Sequence, residues 1–153
     1  MPEIVQFTDV PALKGRDLGQ SRWVPVTQEQ VSTFATLTGD EQWIHVDEQR
    51  AKDGPFGTTI AHGFFVLACS TGLLYELLEV RGGTQILNYG LNRVRFTAPT
   101  PVGSKVRMGL KVSDVAEVSG GYQVTFGLTF ERAGQEKPVC VAELLFRYYG
   151  PAS

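Results

Sequence analysis

The chain has 153 residues, 42% of them hydrophobic and 20% charged, with 14 basic against 16 acidic residues and a net charge of -2. That balance excludes a disordered or fibrous chain and gives no global pull toward nucleic acid or an anionic membrane. A chain of this length buries roughly 70% of the surface it exposes when unfolded, enough for a core without metal or disulfide staples, so one domain over 1–153 is expected.

The N-terminal stretch MPEIVQFTDVPALKG carries neither a basic leader nor an apolar signal core. A strand is expected near 21–26. Thr27 followed by Gln30 has the form of a capping box ahead of Val31, Phe34, Ala35 and Leu37, which predicts a helix over 28–38 ended by Gly39. Residues 40–59 are polar, with Trp43, Ile44, Val46 and Phe56 as isolated apolar anchors, and read as short helical pieces and loop. Irregular segments of that length are uncommon in compact domains and are usually functional.

Residues 62–80 hold Phe64, Phe65, Val66, Leu67, Leu73, Leu74, Tyr75, Leu77 and Leu78, predicting a helix buried inside protein. His62, Gly63 and the Ser70–Gly72 run interrupt its apolar stretch, so it does not read as a membrane span. The period then changes to 2: Val106, Met108, Leu110 and Val112 alternate with Arg107, Gly109, Lys111 and Ser113, and Tyr122, Val124, Phe126, Leu128 and Phe130 behave alike. Strands are expected at 85–96, 104–118, 122–132 and 138–149, separated by turns rich in Gly and Pro. The expected architecture is α+β: a long antiparallel meander wrapped around one central helix.

Cys69 and Cys140 lie in apolar stretches that bury reduced thiols, which suits a reducing, cytoplasmic setting. No CxxC or HExxH spacing suggests a metal, and no GxGxxG or P-loop suggests a nucleotide.

Within TGDEQWIHVD, Asp40 and His45 stand five apart. A carboxylate and an imidazole can hold a water, remove one proton and return another, and such groups are worth roughly 100- to 10,000-fold each. The plainer readings are an N-cap for Asp40 and a hydrogen-bonded core histidine for His45. His62, at the start of the apolar helix, reads first as structural support. Gly63 offers a helix N-terminal N–H that a ligand can approach, or simply flexibility where the helix begins. Ser70 and Thr71 read as helix hydroxyls, and Phe64, Phe65, Leu73 and Leu77 as core more than pocket.

From GDEQWIHVDEQRA through GPFGTTIAHGFF to NYGLNRVRFTAPTPVGSKV, the chain resembles the MaoC-like dehydratases, the (R)-specific enoyl-CoA hydratases of the hotdog fold, including the nodulation protein N-like branch. Gly39, Asp40, Ile44, His45 and Asp47 fit the family motif, while Gln42 and Trp43 replace its Asn and Pro. The resemblance implies that Asp40 and His45 grip one water beside a substrate double bond and that the Gly63 N–H polarises the thioester carbonyl. It places Thr71 where family members often carry a serine. It also implies a homodimer and an acyl thioester substrate carried by coenzyme A or acyl carrier protein, with no dissociable cofactor. Gln42 and His62 join the expected site, and Arg93 and Arg95, two apart on a strand, would meet coenzyme A phosphates or only solvent. Two rival readings stay open: a hotdog thioesterase, for which Glu76 and Glu79 lie toward the far end of the helix, and a non-catalytic acyl-thioester binding module.

Overall fold

The computed structural model describes residues 1–152. The chain enters through strand β1 (Glu3–Gln6), a 3-10 helix (Phe7–Leu13), β2 (Asp17–Gln20) and the short β3 (Val24–Pro25). The strand expected near 21–26 is therefore split: β2 lies ahead of it, β3 within it, and Ser21 sits between, its N–H bonded to Met108 O. Helix α1 (Gln28–Thr38) follows as expected. The Thr27 hydroxyl accepts from Gln30 N at 3.2 Å while the Gln30 side chain accepts from Thr27 N at 2.9 Å, and Gly39 closes the helix at φ 79°. That left-handed cap is a conformation glycine adopts without a side-chain penalty.

Two short helices, α2 (Trp43–Val46) and α3 (Glu48–Lys52), occupy the polar segment. The central helix then runs as α4 (Gly63–Ala68) and α5 (Ser70–Leu77), joined through Cys69, whose φ of -66° and ψ of -17° remain right-handed. It ends at Leu77 and not at residue 80. Leu78 turns extended and opens β4 (Leu78–Arg81), which pairs in parallel with β1. That partner lies more than 70 positions away in sequence, so local periodicity carries no trace of it.

The remaining strands are β5 (Gln85–Arg95), β6 (Lys105–Val118), β7 (Gly121–Arg132) and β8 (Cys140–Tyr149). Their order in the large sheet is β2-β6-β7-β8-β5, with β3 also on β6, and every pair in it is antiparallel. The meander is thus limited to β6, β7 and β8. β5 precedes β6 in sequence yet lies outside β8, leaving it at the edge.

Alternation explains the core. Val106, Met108, Leu110 and Val112 of β6 meet Val124, Phe126, Leu128 and Phe130 of β7 and Phe146 of β8 on the inner face, all buried. Val66, Leu67, Leu73 and Leu74 of the central helix complete the same cluster. Each such side chain contributes about 1.5–3 kcal/mol on burial, and Phe126 meets Phe146 edge-to-face at 6.0 Å. Among the described residues no helix is long and apolar enough to cross a membrane.

The sheet positions the polar segment through one short seam. Ala61 N donates to Thr100 O at 2.8 Å and Val102 N to Thr59 O at 2.9 Å, so residues 59–61 are anchored beside the turn that leads into β6. α2 hangs from this seam by Ile60 N donating to Ile44 O at 3.0 Å.

Candidate active site

The site is assembled from the end of α1, the short helix α2 and the start of α4. α2 has only one turn, so its shape comes from side chains rather than from helix propensity. The Trp43 ring lies under the Arg50 guanidinium at 4.3 Å. On another side it abuts Gly54, where an added Cβ would sit 3.1 Å from the ring. This stack holds the loop through contacts on both sides of the Trp43 ring. The Asp47 carboxylate then accepts from Arg50 N at 2.9 Å, capping α3.

His45 and His62 stack, with ring centroids 3.7 Å apart and planes inclined by 23°. His45 is 7% exposed and His62 4%. Their hydrogen bonds assign them different tautomers. His45 Nδ1 lies 2.7 Å from Ile60 O, and since a carbonyl only accepts, Nδ1 carries a proton and the lone pair of the neutral ring is on Nε2. His62 Nε2 lies 2.9 Å from Asp40 O and is the donor there, which leaves its buried Nδ1 without a partner. The free Nε2 of His45 faces the Asp40 carboxylate at 4.0 Å. That separation is too long for a direct hydrogen bond and suits one bridging water. Asp40 itself is well exposed, 58% at the side chain.

Beside His45 opens a cavity of about 370 Å³ walled by Phe56, Ile60, Gly63, Val66 and Phe96. Gly63 begins α4, so its N–H has no acceptor within the helix. The glycine is demanded by a neighbour: a Cβ there would fall 2.5 Å from the Phe96 ring. The expectation of simple flexibility at this position gives way to a steric one. A second cavity of about 430 Å³ lies between Phe34, Phe64, Leu67, Thr71 and Leu91. A larger hollow of about 700 Å³, between Phe7, Tyr122 and Tyr149, contains none of the expected site residues.

The structure thus brings Asp40, His45, His62 and Gly63 together. Thr71 lines the second cavity and not the one beside His45. Gln42 is exposed and its side chain makes no capping bond to α2. Arg93 pairs with Glu143 at 3.0 Å and the Arg95 guanidinium bonds Val94 O at 2.7 Å, and neither lines the His45 cavity. Glu76 and Glu79 are held in ion pairs with Arg22 at 2.8 Å and Arg81 at 2.6 Å, away from that cavity. The sequence reading missed Gln28, Thr59 and Phe96. Gln28 looks like any first residue of a helix, and nothing local marks its contact with His45.

Asp40, His45 and His62 each offer one ligand atom within 4.8 Å of the others. They fit a metal poorly. A metal must lie in the plane of each ring it binds, and two stacked rings with near-parallel planes share no such point on their Nε2 sides. His62 Nε2 is also occupied by its own hydrogen bond. The arrangement suits holding and deprotonating a water beside an apolar cavity.

Known proteins of this shape carry related names. The MaoC like domain pattern matches residues 9–132. The 3-hydroxyacyl-thioester dehydratase Z of Mycobacterium tuberculosis is 51% identical over 141 residues, covering 92% of this chain and 93% of the relative. Nodulation protein N of Rhizobium leguminosarum bv. viciae is 38% identical, covering 90% and 88%. Among solved structures, the (R)-hydratase from A. caviae involved in PHA biosynthesis superposes with a TM-score of 0.73 at 22% identity, covering 90% of this chain and 96% of that one. The long sheet around a central helix is therefore the hotdog fold, and the chain belongs to the MaoC-like dehydratase family.

Proposed function

We propose that the protein is a hydro-lyase that reversibly adds water to a trans-2-enoyl thioester, giving the (R)-3-hydroxyacyl thioester, with Asp40 and His45 as its acid-base pair. The observation that carries this reading is the His45 tautomer: a free Nε2, 4.0 Å from Asp40 Oδ2, at the wall of an apolar cavity that also presents Gly63. The dehydratase name of the relative at 51% identity supports it.

In the hydration direction a water accepted between Asp40 and His45 gives one proton to Nε2, and its oxygen bonds to C3 of the enoyl group. The C2–C3 π electrons move toward the thioester oxygen, where the Gly63 N–H meets the developing negative charge. The proton on Nε2 then passes to C2 and restores the neutral imidazole. One water is consumed and no electron leaves the substrate. An N–H donor aimed at such a charge is worth roughly 3 kcal/mol in the transition state. Dehydration retraces the same steps, because a catalyst lowers one barrier in both directions.

This chemistry needs no resident metal and no dissociable cofactor; coenzyme A or acyl carrier protein enters as part of the substrate. The free thiols of Cys69 and Cys140 support a reducing, cytoplasmic setting. The partner we assign to the open face formed by β5 and the central helix is a second copy of the chain. Phe64, Tyr75 and Leu91 are each at least 41% exposed there, an apolar grouping that monomers seldom leave in water.

The test follows the ultraviolet absorbance of short and medium trans-2-enoyl-CoA with wild type and Asp40→Asn, alongside a thiol assay. Loss of absorbance with wild type alone and no thiol is the expected result. Thiol release would replace the reading with a thioesterase, and saturable binding without turnover would replace it with a binding module. Sedimentation should give twice the 16.8 kDa chain mass, and a monomer at micromolar concentration would overturn the pairing.

A further inference from the structure

We propose that Gln28 is a positioning residue for His45, acting through the main chain of α2 and so setting where the Nε2 lone pair points. The inference rests on the reading of His45 as the group that takes the water proton. Gln28 is the first residue of α1, a place where side chains usually extend into solvent, yet it turns inward. Its Nε2 donates to His45 O at 2.8 Å and to Ser32 Oγ at 3.1 Å, while its Oε1 accepts from the Thr59 hydroxyl at 2.6 Å. Both amide hydrogens and one acceptor position are thereby used, and Thr59 is 1% exposed.

The contact matters because α2 stops at Val46. The His45 carbonyl is one of the C-terminal carbonyls that a helix leaves without an internal partner, and Gln28 supplies the donor. His45 is then gripped at two points. Its carbonyl is tied to α1 through Gln28, and its ring is tied through Nδ1 to Ile60 O. The Thr59 bond to Gln28 links those two anchors, since Thr59 and Ile60 are adjacent. Removing Gln28 frees one point and lets the ring swing about the other. Gln28 lines neither cavity near the site, so substrate contacts stay in place.

Three measurements on Gln28→Met, with wild type and Asp40→Asn beside it, test the assignment. Gln28→Met keeps the side-chain length and removes the donors. It should fold, with kcat reduced about 10- to 100-fold, the scale expected when a reacting group is displaced by a fraction of an ångström to an ångström, and with KM for enoyl-CoA changed less than about threefold. Nitrogen-15 correlation spectra of the imidazoles should show His45 as the Nδ1–H tautomer in both proteins, with its ring resonances displaced in the variant as the ring turns about the Ile60 tether. If the variant does not fold, Thr59→Val removes the bond to Oε1 from the other side and is measured in its place. A kcat equal to wild type, a loss confined to KM, or unmoved His45 ring resonances overturns the assignment. If wild type hydrates no enoyl thioester the functional reading fails instead, and the His45 ring resonances still decide whether Gln28 positions that ring.

Discussion

Between Lys105 and Tyr149 the chain is held by continuous backbone ladders over a layer of apolar side chains, whereas between Asp40 and His62 it is held by a few hydrogen bonds and two ring stacks. In the sheet, position is the sum of many similar contributions, and no one atom decides it. In the segment, single atoms decide it: Ile60 O sets the tautomer of His45, and Asp40 O occupies His62. The difference teaches where a substitution will be felt. Damage to the sheet should lower stability and spare the chemistry of the molecules that remain folded. Damage to the segment should lower the rate and spare stability.

The largest effect expected is on rate. Asp40→Asn and His45→Gln should each reduce hydration by about 100- to 10,000-fold with a thermal midpoint close to wild type, measured by enoyl-CoA kinetics and calorimetry. A large fall in midpoint with either variant would break the contrast. Next, Phe126→Ala should cost about 3–5 kcal/mol in urea unfolding, because the ring is fully buried against Phe146. Its activity per folded molecule should match wild type. Smaller again, Thr27→Ala should cost about 1 kcal/mol by removing one side of the capping box.

The thiols act only at alkaline pH, and at neutral pH their removal should leave this ranking untouched. Burial pushes Cys140 up to about 11 from an ordinary value of 9.0, and it raises Cys69 as well. A thiol held neutral in the folded state stabilises it fully below the unfolded value, and that contribution is lost as pH rises from 9.0 toward about 11. Urea stability of wild type should therefore fall more steeply over that interval than stability of Cys140→Ala. Both thiols should also react slowly with a disulfide reagent at pH 8, since the thiolate is the reactive form.

Much of this was legible beforehand, and for identifiable reasons. The α1 cap is encoded by residues three apart, and β6 and β7 by strict alternation, so local rules sufficed. Asp40 and His45 stood out because the spacing and the family resemblance agreed. What escaped were features built by distant partners. β4 pairs with β1 across more than 70 residues, which cut the central helix short at Leu77. The reason for glycine at 63 lies in Phe96, and the support of His45 lies in Gln28, both fixed only once the chain has folded. Thr71 rests on the resemblance alone, and it lines the cavity next to the one beside His45.

β5 pairs with β8 along one side only, and its register slips twice, between Asn88 and Gly90 and between Leu91 and Arg93. A straight, regular edge would accept almost any extended segment and invite aggregation. A doubly kinked edge accepts only a strand whose irregularities fall in step with its own. The same kinks that bend β5 therefore guard that edge, breaking the continuous row of donors and acceptors that an unrelated strand would need in order to join.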